Sequence, residues 1–78
     1  MDEDIDPERI DEAVLALLWL GLHDEWRTWK GFDWHAMDRL HRKGMTSDPV
    51  GKAKSVVFTE EGLREAERLL RELFAVRR

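Results

Sequence analysis

The stretch "EWRTWKGFDW", residues 25–34, holds three of the chain's four tryptophans together with Phe32, and its conformation decides the fold. It lies between a long apolar segment and Asp33, a good helix-capping residue. If it were helical, the chain would carry three helices in succession. Only residues 25–32 are available, and they include Gly31, so no full helix fits. Trp26 to Lys30 is therefore expected to be a short extended strand that joins a later hairpin sheet.

Upstream, Asp6-Pro7 marks a helix start: aspartate accepts orphan amide protons, and proline is preorganised at the first helical position. Ile5 and Ile10 occupy the staple positions, and Glu8, Asp11 and Glu12 put negative charge near the positive end of the helix dipole. This helix is expected to reach about His23. From Ala13 to Leu22 it carries no polar side chain on any face. A helix apolar all round is buried all round. Two other helices cannot enclose it, so Leu15, Trp19 or Leu22 is expected to meet a second subunit.

Downstream, Trp34–Lys43 reads as a second helix, ended by Gly44 as the left-handed residue, with Met45 returning to Leu40. Ala36, Leu40, Met37, His41 and Trp34 share one face of it. The opposite face is basic but interrupted by Asp38. Pro49 and Gly51 then punctuate a turn, and residues 45–48 and 54–59 are expected to pair as a β-hairpin. Val56 and Phe58 should point inward and Val57 outward. Thr59 caps a last helix whose apolar arc runs from Leu63 to Val76, with Glu60–Arg64 and Glu67–Arg71 as solvated pairs. The fold class is α+β, in the order helix, short strand, helix, β-hairpin, helix.

A 78-residue chain is one domain, and at this size only about 60% of the unfolded surface is buried, so oligomerisation is a common aid. Residues 1–5 are read as an acidic, flexible start. With no cysteine, disulfides and thiolate zinc sites are excluded and a reducing cytoplasm is the expected compartment. The acidic N-terminus is no secretory signal, and ten apolar residues are too few to span a membrane. Net charge is −4 but uneven. Residues 1–25 set nine acids against Arg9, whereas residues 26–58 set seven bases against three acids. Arg39, Arg42, Lys43, Lys52 and Lys54 are the candidate nucleic-acid contacts.

Chemistry is sparse. His35 and His41 lie about 240° apart on the wheel, so one helix cannot bring both to a metal, and His41 reads as a hydrogen-bonded boundary histidine. Ser47 and Ser55 have no histidine–acid pair placed to activate them, and no phosphate-binding glycine loop is present. No catalytic residue, metal or cofactor is expected, and no enzyme activity.

"LHRKGM" (residues 40–45) and "VVFTEEG" (residues 56–62) resemble winged-helix regulators of the multiple-antibiotic-resistance type. There the recognition helix ends in Leu-x-x-x-Gly-apolar, and the wing enters a helix through Val-x-Leu-Thr-x-x-Gly. Phe58 replaces the leucine. Across most of the chain, "IDEAVLALL", "WKGFDW", "RLHRKG" and "DPVGKAKSV" resemble a bacterial family of short proteins described only as a domain of unknown function. His35, Met37 and Met45 depart from that pattern. The winged-helix resemblance implies a supporting helix before Asp33. Since none fits, the domain is expected to be a reduced winged-helix-like fold. Trp26, Trp29, Phe32 and Trp34 would then fill the missing helix's volume, each ring burying ~150–250 Å². The alternative is a surface platform for a larger protein.

These readings converge on a non-enzymatic, homodimeric protein-interaction module. A DNA- or RNA-binding regulator is the alternative.

Overall fold

The structure is a computed structural model and describes residues 4–76. Met1–Glu3, part of the acidic start, lie outside the described residues. Five elements follow one another: α1 (Pro7–Leu20), β1 (Arg27–Trp29), α2 (Trp34–Arg42), β2 (Ser55–Val57) and α3 (Glu60–Phe74). This is the α+β layout expected from the sequence.

Local chemistry sets the helix boundaries. The Asp6 carboxylate accepts from the Glu8 amide at 2.9 Å, with Pro7 at the first helical position. Asp33 accepts from Ala36 N at 3.1 Å to open α2. At the far end of α2, Gly44 N donates to His41 O and Met45 N donates to Leu40 O, at 2.9 and 3.0 Å. That pair of bonds requires Gly44 to be left-handed, and its φ is 80°. Thr59 accepts from Gly62 N at 2.9 Å to open α3, and its hydroxyl also donates to Gly44 O at 2.6 Å. One side chain thus ties the start of α3 to the end of α2.

α1 stops at Leu20, earlier than expected. Gly21 N and Leu22 N turn back to Leu18 O and Trp19 O, and the chain then enters the sheet. Leu22 forms an antiparallel bridge with Thr28, and His23 N donates to Arg27 O at 3.1 Å. Residues 22–23 are drawn off the helix because β1 offers them backbone partners. Close approach helps: a Cβ on Gly21 would sit 2.9 Å from the Thr28 hydroxyl.

The extended reading of residues 26–30 holds. Arg27, Thr28 and Trp29 pair antiparallel with Val57, Val56 and Ser55. Phe58 N donates to Trp26 O at 2.8 Å and Lys30 N to Lys54 O at 3.1 Å, which extends the pairing by one residue at each end. The first limb of the expected hairpin is shorter. Thr46 pairs with Phe58 as a single bridge, Ser47 N donates to Val57 O, and the Ser47 hydroxyl accepts from Val57 N. Beyond it, Asp48 accepts from Val50 N at 2.9 Å, and Pro49 has no N–H to give a ladder. The chain leaves the sheet there.

The core is built on α1. Val14, Leu15 and Leu18 form its buried stripe with Ala16 behind them, facing Met37 and Leu40 of α2 and Ala66 and Leu69 of α3. Val56 and Phe58 complete it, while Val57 faces out. Gly62 is part of this packing, since a Cβ there would lie 1.8 Å from the Met45 carbonyl oxygen.

One expectation is corrected. The apolar half of α1 is largely covered by its own chain, because the β1–β2 layer adds a wall that α2 and α3 alone lack. Leu15 is buried in the subunit core and is not a surface for a second subunit. Trp19 and Leu22 are half-buried at the core's margin. Leu20 alone stands out, at 68% exposed.

Candidate functional site

β1 alternates: Arg27 and Trp29 are exposed and Thr28 is fully buried. The Thr28 hydroxyl donates to Leu18 O, so a polar side chain faces inward without an unmet hydrogen bond. The indole of Trp29 therefore faces solvent, stacked on the imidazole of His23 with ring centroids 4.1 Å apart. Trp26, Trp29, Phe32 and Trp34 are 39, 53, 37 and 54% exposed.

The aromatic run does not fill the core; it lies on the surface. The core is made instead by aliphatic side chains of the three helices with Met37, Val56 and Phe58, and three indoles are left exposed. Trp19 is the tryptophan that packs on the core.

Two open grooves flank the outer face of the sheet. One is lined by Asp24, Glu25, Trp26, Arg27 and Val57. The other, at the opposite end of the strands, is lined by Trp29, Lys30, Gly31 and residues 51–54, which include Lys52 and Lys54. Each holds about 500 Å³ but is wide and shallow. Such a shape suits a protein surface rather than the enclosed pocket that buries most of a small ligand. Both grooves are built locally. Asp24 accepts from the amides of Trp26 and Arg27 at 2.9 and 2.7 Å, and these bonds hold its carboxyl below the usual carboxylate range. At the other end the Lys30 ammonium donates to Pro49 O and Gly51 O, fixing the 49–51 turn against β1.

The five candidate nucleic-acid residues are not brought together. Arg39 and Lys43 converge on Asp11, which is only 2% exposed: the Arg39 guanidinium reaches both carboxylate oxygens at 2.9–3.0 Å and the Lys43 ammonium reaches one at 2.9 Å. Lys43 also pairs with Glu8 at 3.1 Å. Burial pushes the Asp11 carboxyl up, but the hydrogen bonds and charges of Arg39 and Lys43 outweigh it and the carboxyl ends below its ordinary value. Lys43 is pushed down by burial and raised, on balance, by Asp11 and Glu8. These two cations neutralise a buried charge, which corrects their reading as a free basic face. Arg42 pairs with Asp38 at 2.9 Å on the same helix. Lys52 and Lys54 are exposed and make no ion pair among the described residues.

Asp11, which the sequence places as negative charge near the start of α1, is a buried structural residue. Its place with Val14, Leu15 and Leu18, at spacings of three, four and seven, marks it as a charge on a buried stripe. The imidazole of His41 is hydrogen-bonded to Thr46 O at 3.0 Å, as a boundary residue. Among the described residues no three His, Cys, Asp or Glu side chains group to hold a metal, and no helix is long and apolar enough to cross a membrane.

Residues 6–76 match the family described as "Domain of unknown function (DUF6429)". The uncharacterized protein y4hR of Sinorhizobium fredii (strain NBRC 101917 / NGR234) is 61% identical over 71 residues, which cover 91% of this chain and 96% of that one. No solved structure matches the chain. The chain belongs to the DUF6429 family, in keeping with the resemblance to short uncharacterised bacterial proteins.

Proposed function

We propose that this member of the DUF6429 family is a non-enzymatic protein-interaction module, whose binding face is the outer side of the β1–β2 sheet and the loops beside it. The observation that carries this reading is the exposure of Trp26, Trp29, Phe32 and Trp34 within ten residues. Isolated exposed apolar residues are ordinary on a protein surface, but a local group of large aromatics is the composition of an interface centre. Tryptophan gives a binding face much contact area for little loss of side-chain freedom. The scaffold reads as a winged-helix-like domain in which β1 replaces the supporting helix, freeing that side of the molecule for a partner. The nucleic-acid alternative is the weaker reading. With Arg39 and Lys43 committed to Asp11, few cations remain to neutralise the several phosphates on which such binding depends.

The test is site-specific photocrosslinking in the native lysate. A photoreactive phenylalanine derivative at Trp29 should give a discrete protein adduct, while the same group at exposed Glu61 on α3 should not. Equal labelling from both positions, or no adduct from Trp29, contradicts the reading.

A further inference from the structure

We infer that the occupant of this face is a second copy of the chain, docked across a two-fold axis with the two sheets running in opposite directions. This rests on the reading of the face as an interaction surface and adds the identity of the partner.

Charge is polarised along the strands. At the Trp26–Val57 end, Asp24 and Glu25 face a single cation, Arg27. Asp24 lies 3.9 Å from Arg27, which leaves Glu25 as surplus negative charge. At the Trp29 end, Lys52 and Lys54 are exposed beside Lys30 and no acid lines the groove. Exposed Trp26 and Val57 stand at the acidic end and exposed Trp29 at the basic end. The face is thus acidic at one end and basic at the other, with an exposed indole at each.

Such a face complements itself. A two-fold axis through its middle brings residue i of one copy to residue j of the other, and j to i. Glu25 of each copy then meets Lys52 and Lys54 of its mate, and Trp26 of each copy meets Trp29 of its mate. The indole contacts supply affinity, and the charged ends fix the direction and exclude the parallel arrangement, which would set like charges together. A chain of this size gains stability from such association.

Two charge-reversed variants test the geometry. Glu25→Lys makes both ends basic; Lys52→Glu with Lys54→Glu makes both ends acidic. All three positions are exposed, so melting of the protomer should be little changed. By sedimentation equilibrium at low salt, each variant alone should dimerise about tenfold or more weaker than the parent, since the symmetric contact is disturbed twice. An equimolar mixture should recover parent-like association as a heterodimer, because both ends are then matched. Trp29→Ala should weaken the parent dimer about thirtyfold or more. A parent chain that stays monomeric at millimolar concentration overturns the inference, as does a mixture no tighter than its components. Either result leaves a photocrosslink from Trp29 to a different protein intact, so the identity of the partner and the existence of the face fail separately.

Discussion

Asp11 places a covered charge at the rim of the core, and Arg39 and Lys43 make that tolerable. Removing the partners of a buried charge typically costs about 3–5 kcal/mol. Both cations are about a third exposed, so solvent screens part of that cost, and Arg39→Met with Lys43→Met is expected to lose about 1–3 kcal/mol in urea unfolding at neutral pH. The pH dependence follows from the direction of the shift. In the parent the folded carboxyl sits below its ordinary value, so its contribution is present above the usual carboxylate range and is lost as pH falls through the folded value. In the double variant burial acts unopposed and raises that carboxyl, so acidification relieves the strain. The stability gap between the two proteins should close as pH is lowered; a gap that stays constant argues against a buried ionised Asp11. The charge was legible in the sequence, since Asp11 falls on the stripe of Val14, Leu15 and Leu18. Its partners were not, because they lie 28 and 32 residues away and only packing brings them near. Gly62 makes a second residue-scale prediction. Gly62→Ala would drive a Cβ to 1.8 Å from a backbone oxygen and should cost at least about 2 kcal/mol, whereas Gly31→Ala meets nothing within 4 Å and should be close to neutral. Thermal melts of the two variants separate them.

At the level of elements, β1 decides which side chains are core and which are surface. Its extended conformation was legible because eight residues with Gly31 cannot make a helix. The orientation of its side chains was also open to reading. Arg27 and Trp29 share a face by strand alternation, and the charged member must face water. Mass and apolarity alone pointed the indoles inward. Alternation against a charged neighbour, with Thr28 able to satisfy its hydroxyl at Leu18 O, decides the other way. The helix caps and the Gly44 turn were legible for a simpler reason, since their partners are within a few residues. The short first limb of the hairpin was not, because Asp48 and Pro49 release the chain from the sheet sooner than the β-branched pattern implies. A stability scan tests this division. Trp26→Ala and Trp29→Ala should each change protomer stability by less than about 1 kcal/mol, while Phe58→Ala should cost about 3–5 kcal/mol. Comparable losses at all three positions would return the indoles to the core.

The whole molecule combines a core centred on α1 with exposed aromatic side chains from residues 26–34 outside it. Chain length and the absence of cysteine pointed to a small domain helped by association, and of the α1 residues read as its surface Leu15 is enclosed while Trp19 and Leu22 stay half-buried at the core's margin. Leu15 is enclosed because α2, α3 and the sheet together cover what two helices could not. Besides Leu20, Val50 and Phe74, exposed apolar area moves from the helix to the tryptophan run. That relocation is the claim on which the functional reading depends, and acrylamide quenching of tryptophan emission in dilute solution tests it most directly. With Trp26, Trp29 and Trp34 at the surface and Trp19 against the core, most of the emission should be readily quenched, leaving a minor shielded fraction. Emission that is mostly shielded in the dilute protomer would contradict the account.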